Sequence, residues 1–134
     1  MPEVEGRHNG RQILVPVAIA PPLIASQTVV EPAVGLIDTG ATRSLIIREL
    51  AERLSLPFVG KHRLVSARSE EQVDQFAFRV GFQREVGQWP WFLDGDFIGL
   101  EFRNLSNFQV IIGMDIIALG TFETRPDRSW RFLF

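Results

Sequence analysis

An apolar run that ends in an acid constrains this chain more than any other feature: Gly35-Leu36-Ile37 leads straight into Asp38, followed by Thr39, Gly40, Ala41 and Thr42. A strand that carries a carboxylate to its end brings a charge toward the interior, where it is costly unless hydrogen-bonded or paired. Thr39 and Gly40 supply a reason for that cost. A hydroxyl can tie down the turn, and glycine admits a backbone conformation and a close approach that a side chain blocks. Taken alone, Asp-Thr-Gly suits an ordinary Asx turn between strands equally well.

A second element lies downstream. Val110-Ile111-Ile112 is a buried-type run, Gly113 follows, and Met114 to Leu119 reads as one or two helical turns. Alone this is a buried strand meeting a helix. Together the two elements resemble the active-site template of aspartic peptidases, and the resemblance extends to the retropepsin-like family, in particular its small single-domain bacterial-type members. It covers nearly the whole chain from about Ile13: Leu14-Val15-Pro16-Val17-Ala18-Ile19, then Leu36-Ile37-Asp38-Thr39-Gly40-Ala41-Thr42-Arg43-Ser44-Leu45-Ile46, a helix ending near Leu54-Ser55-Leu56-Pro57, a central hairpin, and Ile111-Ile112-Gly113-Met114-Asp115-Ile116-Ile117.

The resemblance implies a mostly β fold, a closed antiparallel barrel of the acid-protease type with one or two short helices, each subunit equivalent to one lobe of pepsin. It implies Asp38 as the catalytic aspartate and Thr39 as the residue whose hydroxyl locks two active-site loops across a dimer axis. Gly40 is then the glycine whose carbonyl meets substrate. Ala41, Thr42 and Ile112 belong to the expected cleft wall, and Ala67, Arg68 and Ser69 to the hairpin tip that folds over bound peptide.

Peptide hydrolysis by this route needs one carboxylate to take a proton from water while a neighbouring carboxylic acid gives one to the scissile carbonyl. Two carboxyls in contact share one proton, because both cannot ionise cheaply, and the resulting titration belongs to the pair. No second Asp-Thr-Gly or Asp-Ser-Gly occurs in the chain. The partner is therefore expected to be Asp38 of a second copy, brought in by a twofold axis.

Composition narrows the alternatives. A length of 134 residues suits one domain, read here as residues 12–134 behind a flexible, polar N-terminal arm of residues 1–11. The net charge of -2 with scattered basic residues speaks against a nucleic-acid partner. There is no cysteine, and His8 and His62 read as solvated side chains far apart in sequence, so thiol chemistry is excluded and neither metal nor cofactor is expected. The uncharged stretch from Gln12 to Val30, preceded by Arg7 and Arg11, has the faint outline of an export signal. Pro16, Pro21 and Pro22 break it, and a strand followed by a proline turn explains the alternation of Ile13, Val15, Val17 and Ile19 as well. The expectation is a cytoplasmic protein without a membrane partner.

Further readings follow from periodicity and turn chemistry. Thr28 to Ile37 reads as a strand, forming a hairpin with the first and delivering Asp38. Ser44 to Ile46 reads as a short strand. Ile47, Leu50, Ala51 and Leu54 fall at helical spacing, with Arg48, Glu49, Glu52 and Arg53 on a solvated face and Pro57 beyond. Lys61 to Val80 forms two runs around the polar segment Ser66 to Gln72. Asp94-Gly95-Asp96 reads as a turn rather than a metal loop. Asp115 suits the first turn of a helix, capping amides rather than acting in catalysis. Gly120 suits a left-handed helix stop. Thr121 to Thr124 and Trp130 to Phe134 read as strands, the last either a free edge inviting pairing or a core strand.

One departure from the family pattern bears on function. The hairpin tip, Ser66-Ala67-Arg68-Ser69-Glu70-Glu71-Gln72, has no glycine; the chain also has no tyrosine, and so lacks the lid tyrosine of pepsin-like enzymes, which retroviral-type members manage without. Two functions follow: an aspartic endopeptidase acting on extended peptides as a homodimer, or a dimeric peptide-binding module of weak or no catalysis on the same fold.

Overall fold

The structure, a computed structural model, describes residues 2–22, 29–103 and 106–134. It is mostly β. The strands are β1 (Glu3–Arg7), β2 (Leu14–Ala20), β3 (Glu31–Ile37), β4 (Leu45–Ile47), β5 (Phe58–Val65), β6 (Glu70–Phe82), β7 (Trp91–Phe92), β8 (Phe97–Phe102), β9 (Val110–Ile112), β10 (Thr121–Thr124) and β11 (Ser129–Leu133). Two short helices, α1 (Arg48–Arg53) and α2 (Met114–Ile117), follow β4 and β9. The expected start of the second strand, Thr28, lies outside the described residues.

The main sheet runs β2-β3-β9-β4-β8-β6-β5, with β7 beside β6. It is mixed rather than antiparallel throughout: β3 pairs with β9 and β4 with β8 in parallel. The cause is local. Chain segments 38–44 and 113–117 sit at the same end of the sheet, so β3 and β9 both arrive there running the same way. β6 is long enough for several neighbours, Gln75–Phe78 facing β8 and Arg79–Phe82 facing β2.

The alternation read in β2 holds for Val15, Val17 and Ile19, all fully buried, but Ala18 and Ala20 on the other face are buried too. Pro16 falls on an exposed position just before the segment that pairs with β6, where a missing N–H costs the ladder little. The core gathers Val15, Val17, Ile37, Ile46, Leu50, Phe78, Val80, Phe82 and Ile112. Each such side chain contributes about 1.5–3 kcal/mol on full burial. Phe82 packs against Phe132 and Phe134 at ring separations of 5.7 and 5.0 Å, which fastens the second sheet to the first.

That second sheet has the order β1-β11-β10 and corrects two expectations. Residues 3–7 are not part of a flexible arm; they form β1, antiparallel to β11. Val4 is half-buried against the core, and Gly6 lets the Trp130 indole lie where a Cβ would stand 3.0 Å from it. Nor is the C-terminal strand a free edge, since β1 and β10 flank it and Trp130 and Phe132 are buried.

Gly120 is likewise not a left-handed stop. The glycines with positive φ among the described residues are Gly10, Gly60, Gly87 and Gly95. At Gly120 the carbonyl of Leu133 comes so close that any Cβ would collide with it, so contact rather than conformation demands glycine. Gly95, at φ +89°, does make the turn expected of Asp94-Gly95-Asp96. No helix among the described residues is long and apolar enough to cross a membrane.

Candidate active site

β9 lies between β3 and β4, pairing Ile37 with Ile112 on one side and Leu45 with Ile111 on the other. The loop of residues 38–44 therefore has to arch over the end of β9 to connect its neighbours. At the foot of that arch, directly after β3, is Asp38, half-buried, whose amide donates to the Ile112 carbonyl at 3.0 Å. One oxygen of its carboxylate accepts the Gly40 amide at 2.9 Å, and the Ala41 amide donates to the Asp38 carbonyl at 3.2 Å. The loop is thus an Asx turn, but one built on the end of two sheet strands. Thr39, Gly40 and Thr42 are exposed, and Ala41 is half-buried. The Thr39 hydroxyl has no hydrogen-bond partner among the described residues.

The arch is fastened by residues that its own sequence hardly advertises. A Cβ at Gly113 would lie 2.8 Å from the Arg43 carbonyl and 2.9 Å from that of Ala41, so this glycine is needed for backbone-to-backbone contact. Met114 donates its amide to the Ala41 carbonyl at 2.7 Å. Ser44 is fully buried, accepting the Gly113 amide at 3.0 Å and donating its hydroxyl to Asp115 at 2.7 Å. Asp115 also accepts the Ser44 amide at 3.0 Å and the Ile116 amide at 3.0 Å. The expectation that Asp115 serves first-turn amides therefore holds for one amide, while its larger task is to bind Ser44. A serine opening an otherwise apolar strand was the available signal for that role.

Ile112 does not line a cleft. It is 1 % exposed, with Val110 fully buried and Ile111 half-exposed, because β9 turns alternate residues into the core. Ala67, Arg68 and Ser69 are exposed at the tip of the β5–β6 hairpin. Ser66 and Ser69 close this tip: the Ser66 amide meets the Ser69 carbonyl at 2.8 Å, and the Ser66 hydroxyl accepts the Ser69 amide at 3.1 Å. Side-chain hydrogen bonds thus make the turn without glycine.

The root of the hairpin is held on two sides. Arg43, in the site loop, donates to Gln75 at 2.8 Å. The adjacent Asp74 accepts from Lys61 and Arg48, each at 2.8 Å, and Arg48 also donates to Glu101 at 2.6 Å and to Glu52 at 2.8 Å. Arg48 is therefore more than a solvated helix residue. Lys61 and then Arg48, by hydrogen bonding, hold the Asp74 carboxyl below the usual range. Burial pushes the Glu101 carboxyl up, but Arg48, the Asp74 amide and Arg103 together outweigh it and leave it lowered. Gly60, at φ +113°, sits in a register shift between Phe58 and Lys61, a bulge at the same root.

Among solved structures, the chain is similar to a retropepsin-like aspartic protease from Rickettsia conorii, with a TM-score of 0.63 and 14% identity over 98% of this chain and 89% of that one. It is also similar to the retroviral protease-like domain of Ddi1 from Leishmania major, with a TM-score of 0.47 and 14% identity over 90% of this chain and 94% of that one. No protein-family model matches the chain, and no curated protein sequence does. The fold is retropepsin-like, the fold of the Rickettsia aspartic protease along nearly the whole chain.

Proposed function

We propose that the chain is an aspartic endopeptidase, active as a homodimer in which Asp38 of each copy supplies half of the catalytic pair. The observation that carries this reading is the Asp38 carboxylate where the arch over β9 leaves β3, with one oxygen on the Gly40 amide at 2.9 Å and the loop fastened by Gly113 and Ser44. An acid so mounted at a surface loop, beside a threonine hydroxyl that has no partner among the described residues, suits a site finished by a second copy. In the pair, one carboxylate takes a proton from water while the other, protonated, donates to the scissile carbonyl.

In this reading Thr39 locks the two loops across the axis, Gly40 presents its carbonyl to an extended peptide, and Ala41 and Thr42 border the cleft. Ala67, Arg68 and Ser69 cover the bound peptide from the hairpin. The pairing of β6 with both β8 and β2 supports taking the main sheet as a closed barrel, in one domain that β1 joins. A cytoplasmic place of action belongs to the same proposal.

A second reading, a dimeric peptide-binding module with weak catalysis, is favoured by the Ser66–Ser69 clasp, which stiffens the element expected to close over substrate. Cleavage of a diverse peptide mixture between about pH 3 and pH 7, comparing wild type with Asp38→Asn, separates the two. The peptidase predicts cleavage that the variant loses while staying folded. Peptide binding without cleavage by either protein selects the module.

A further inference from the structure

Register places one row of side chains across the outer face of the main sheet. Leu36 of β3 stands beside Ile111 of β9, Ile111 beside Leu45 of β4, Leu45 beside Leu100 of β8, and Leu100 beside Gln75 of β6. The adjoining Ile37, Ile46 and Ile112 turn the other way into the core, while Leu36, Ile111, Leu45 and Gln75 stay half-buried. Asp38 follows Leu36 by two positions, with its amide still on the Ile112 carbonyl at 3.0 Å, so it belongs to the same face. Arg43 precedes Leu45 by two positions and donates to Gln75 at 2.8 Å. The strip of Leu36, Ile111 and Leu45 thus has the aspartate above one end and a guanidinium above the other.

The charge of that guanidinium is unanswered. Arg43 is half-buried, and among the described residues it forms no ion pair and Gln75 is its one hydrogen-bond partner. Nearby acids are engaged elsewhere: Asp74 with Lys61 and Arg48, and Asp115 with Ser44. Arg48 and Arg53, by contrast, each pair with two or more carboxylates. A neutral amide holds Arg43 in place without cancelling its charge. The rest of its planar fork of N–H donors, which matches a carboxylate, stays open.

We propose that Arg43 selects peptides with a glutamate or aspartate within about three residues of the bond to be cut. The inference rests on the peptidase proposed above and names a residue that sets its substrate class. β3 and β4 flank β9, so Asp38 and Arg43 stand two strand spacings, about 10 Å, apart, which an extended peptide covers in about three residues. Apolar side chains of the peptide lie on the strip, and an acidic one reaches the guanidinium. A charge-assisted contact of this kind favours a carboxylate over the isosteric amide by about tenfold. Because each copy of a twofold dimer brings its own Arg43, the preference is expected on both sides of the bond.

Twin peptides that differ only in Glu or Gln, at positions up to about three residues either side of the bond, test this at about pH 6, where a peptide glutamate is ionised. Wild type is expected to cut a Glu peptide with kcat/KM about tenfold above that of its Gln twin. Arg43→Gln erases this ratio, and Arg43→Glu turns the preference toward Lys peptides. Gln75→Glu keeps the guanidinium but gives it a carboxylate of its own, and is expected to erase the ratio with an unchanged circular dichroism spectrum. A merely structural role for the bond between Arg43 and Gln75 predicts instead a lower kcat/KM for both twins and an unaltered ratio.

Equal cleavage of the twins by wild type, or a Glu preference that survives Arg43→Gln and Gln75→Glu, overturns the proposal and leaves the peptidase standing. If no peptide is cut, the peptidase falls, and fluorescence anisotropy of the labelled twins decides this site separately. Tighter binding of the Glu peptide that Arg43→Gln abolishes keeps it. Equal or undetectable binding of the twins overturns it.

Discussion

The hydroxyl of Ser44 donates to the carboxylate of Asp115 at 2.7 Å across 71 positions of sequence, and through Gly113 the same hydroxyl reaches the end of β9. A buried serine that accepts one hydrogen bond and donates another joins the arch carrying Asp38 to the helix behind it. Replacing it strands both partners.

Ser44→Ala is accordingly expected to cost about 1–3 kcal/mol, because the Gly113 amide and an Asp115 oxygen lose a buried partner. Urea denaturation checks the figure. A change near zero would mean that the arch stands without this link.

Gly113→Ala places a methyl against the carbonyls of Arg43 and Ala41, which are backbone atoms that cannot swing aside. A loss of about 1–3 kcal/mol is expected, with displacement of the Asp38 loop. Amide chemical shifts of residues 38–44 report the displacement, and an undisturbed loop in the variant contradicts it.

Acid stability depends on the Arg48 network. The carboxyls of Asp74 and Glu101 titrate below their ordinary values of 3.8 and 4.5 when folded, so folding favours their charged forms. The stability they contribute is complete above about pH 5 and is lost as pH falls through the folded values. Asp74→Asn is expected to flatten the fall of the urea midpoint between about pH 5 and pH 2.5. Equal slopes in variant and wild type would remove this network as the cause.

Ser66→Ala removes the side-chain half of the clasp at the hairpin tip. Hydrogen exchange at Ala67, Arg68 and Ser69 is expected to quicken several-fold while the amides of β6 from Phe76 onward stay protected. Uniform exchange along the whole hairpin would show that the clasp does not stiffen the tip.

Much of this architecture was legible in the sequence, for reasons that are local. Period-two alternation marked β2, helical spacing marked α1, and Asp94-Gly95 marked a turn, each within a few residues. The arch was legible because the Asp38 motif and the Gly113 motif are both written in contiguous residues. What escaped depends on remote partners. β1 shows alternation in Glu3-Val4-Glu5-Gly6-Arg7, but its polar members masked it until Trp130 supplied the surface that Val4 and Gly6 cover. Ile112 reads as cleft or core with equal ease until the inward face of β9 is known. The carbonyl of Leu133, thirteen residues on, explains Gly120, and no local rule points to it.

The place of β9 between β3 and β4 also governs when the site can exist. Val34 and Gly35 meet Gln109 and Val110 across some 75 positions, and the Asp38 loop has nothing to arch over until they do. Closing so long a loop is slow compared with forming the neighbouring hairpins. A chain still emerging from the ribosome can complete β2, β3 and the long hairpin while its aspartate hangs on an unanchored turn. The interval before residues 109–113 are made is thus a built-in delay, during which the carboxylate is present and its geometry is not.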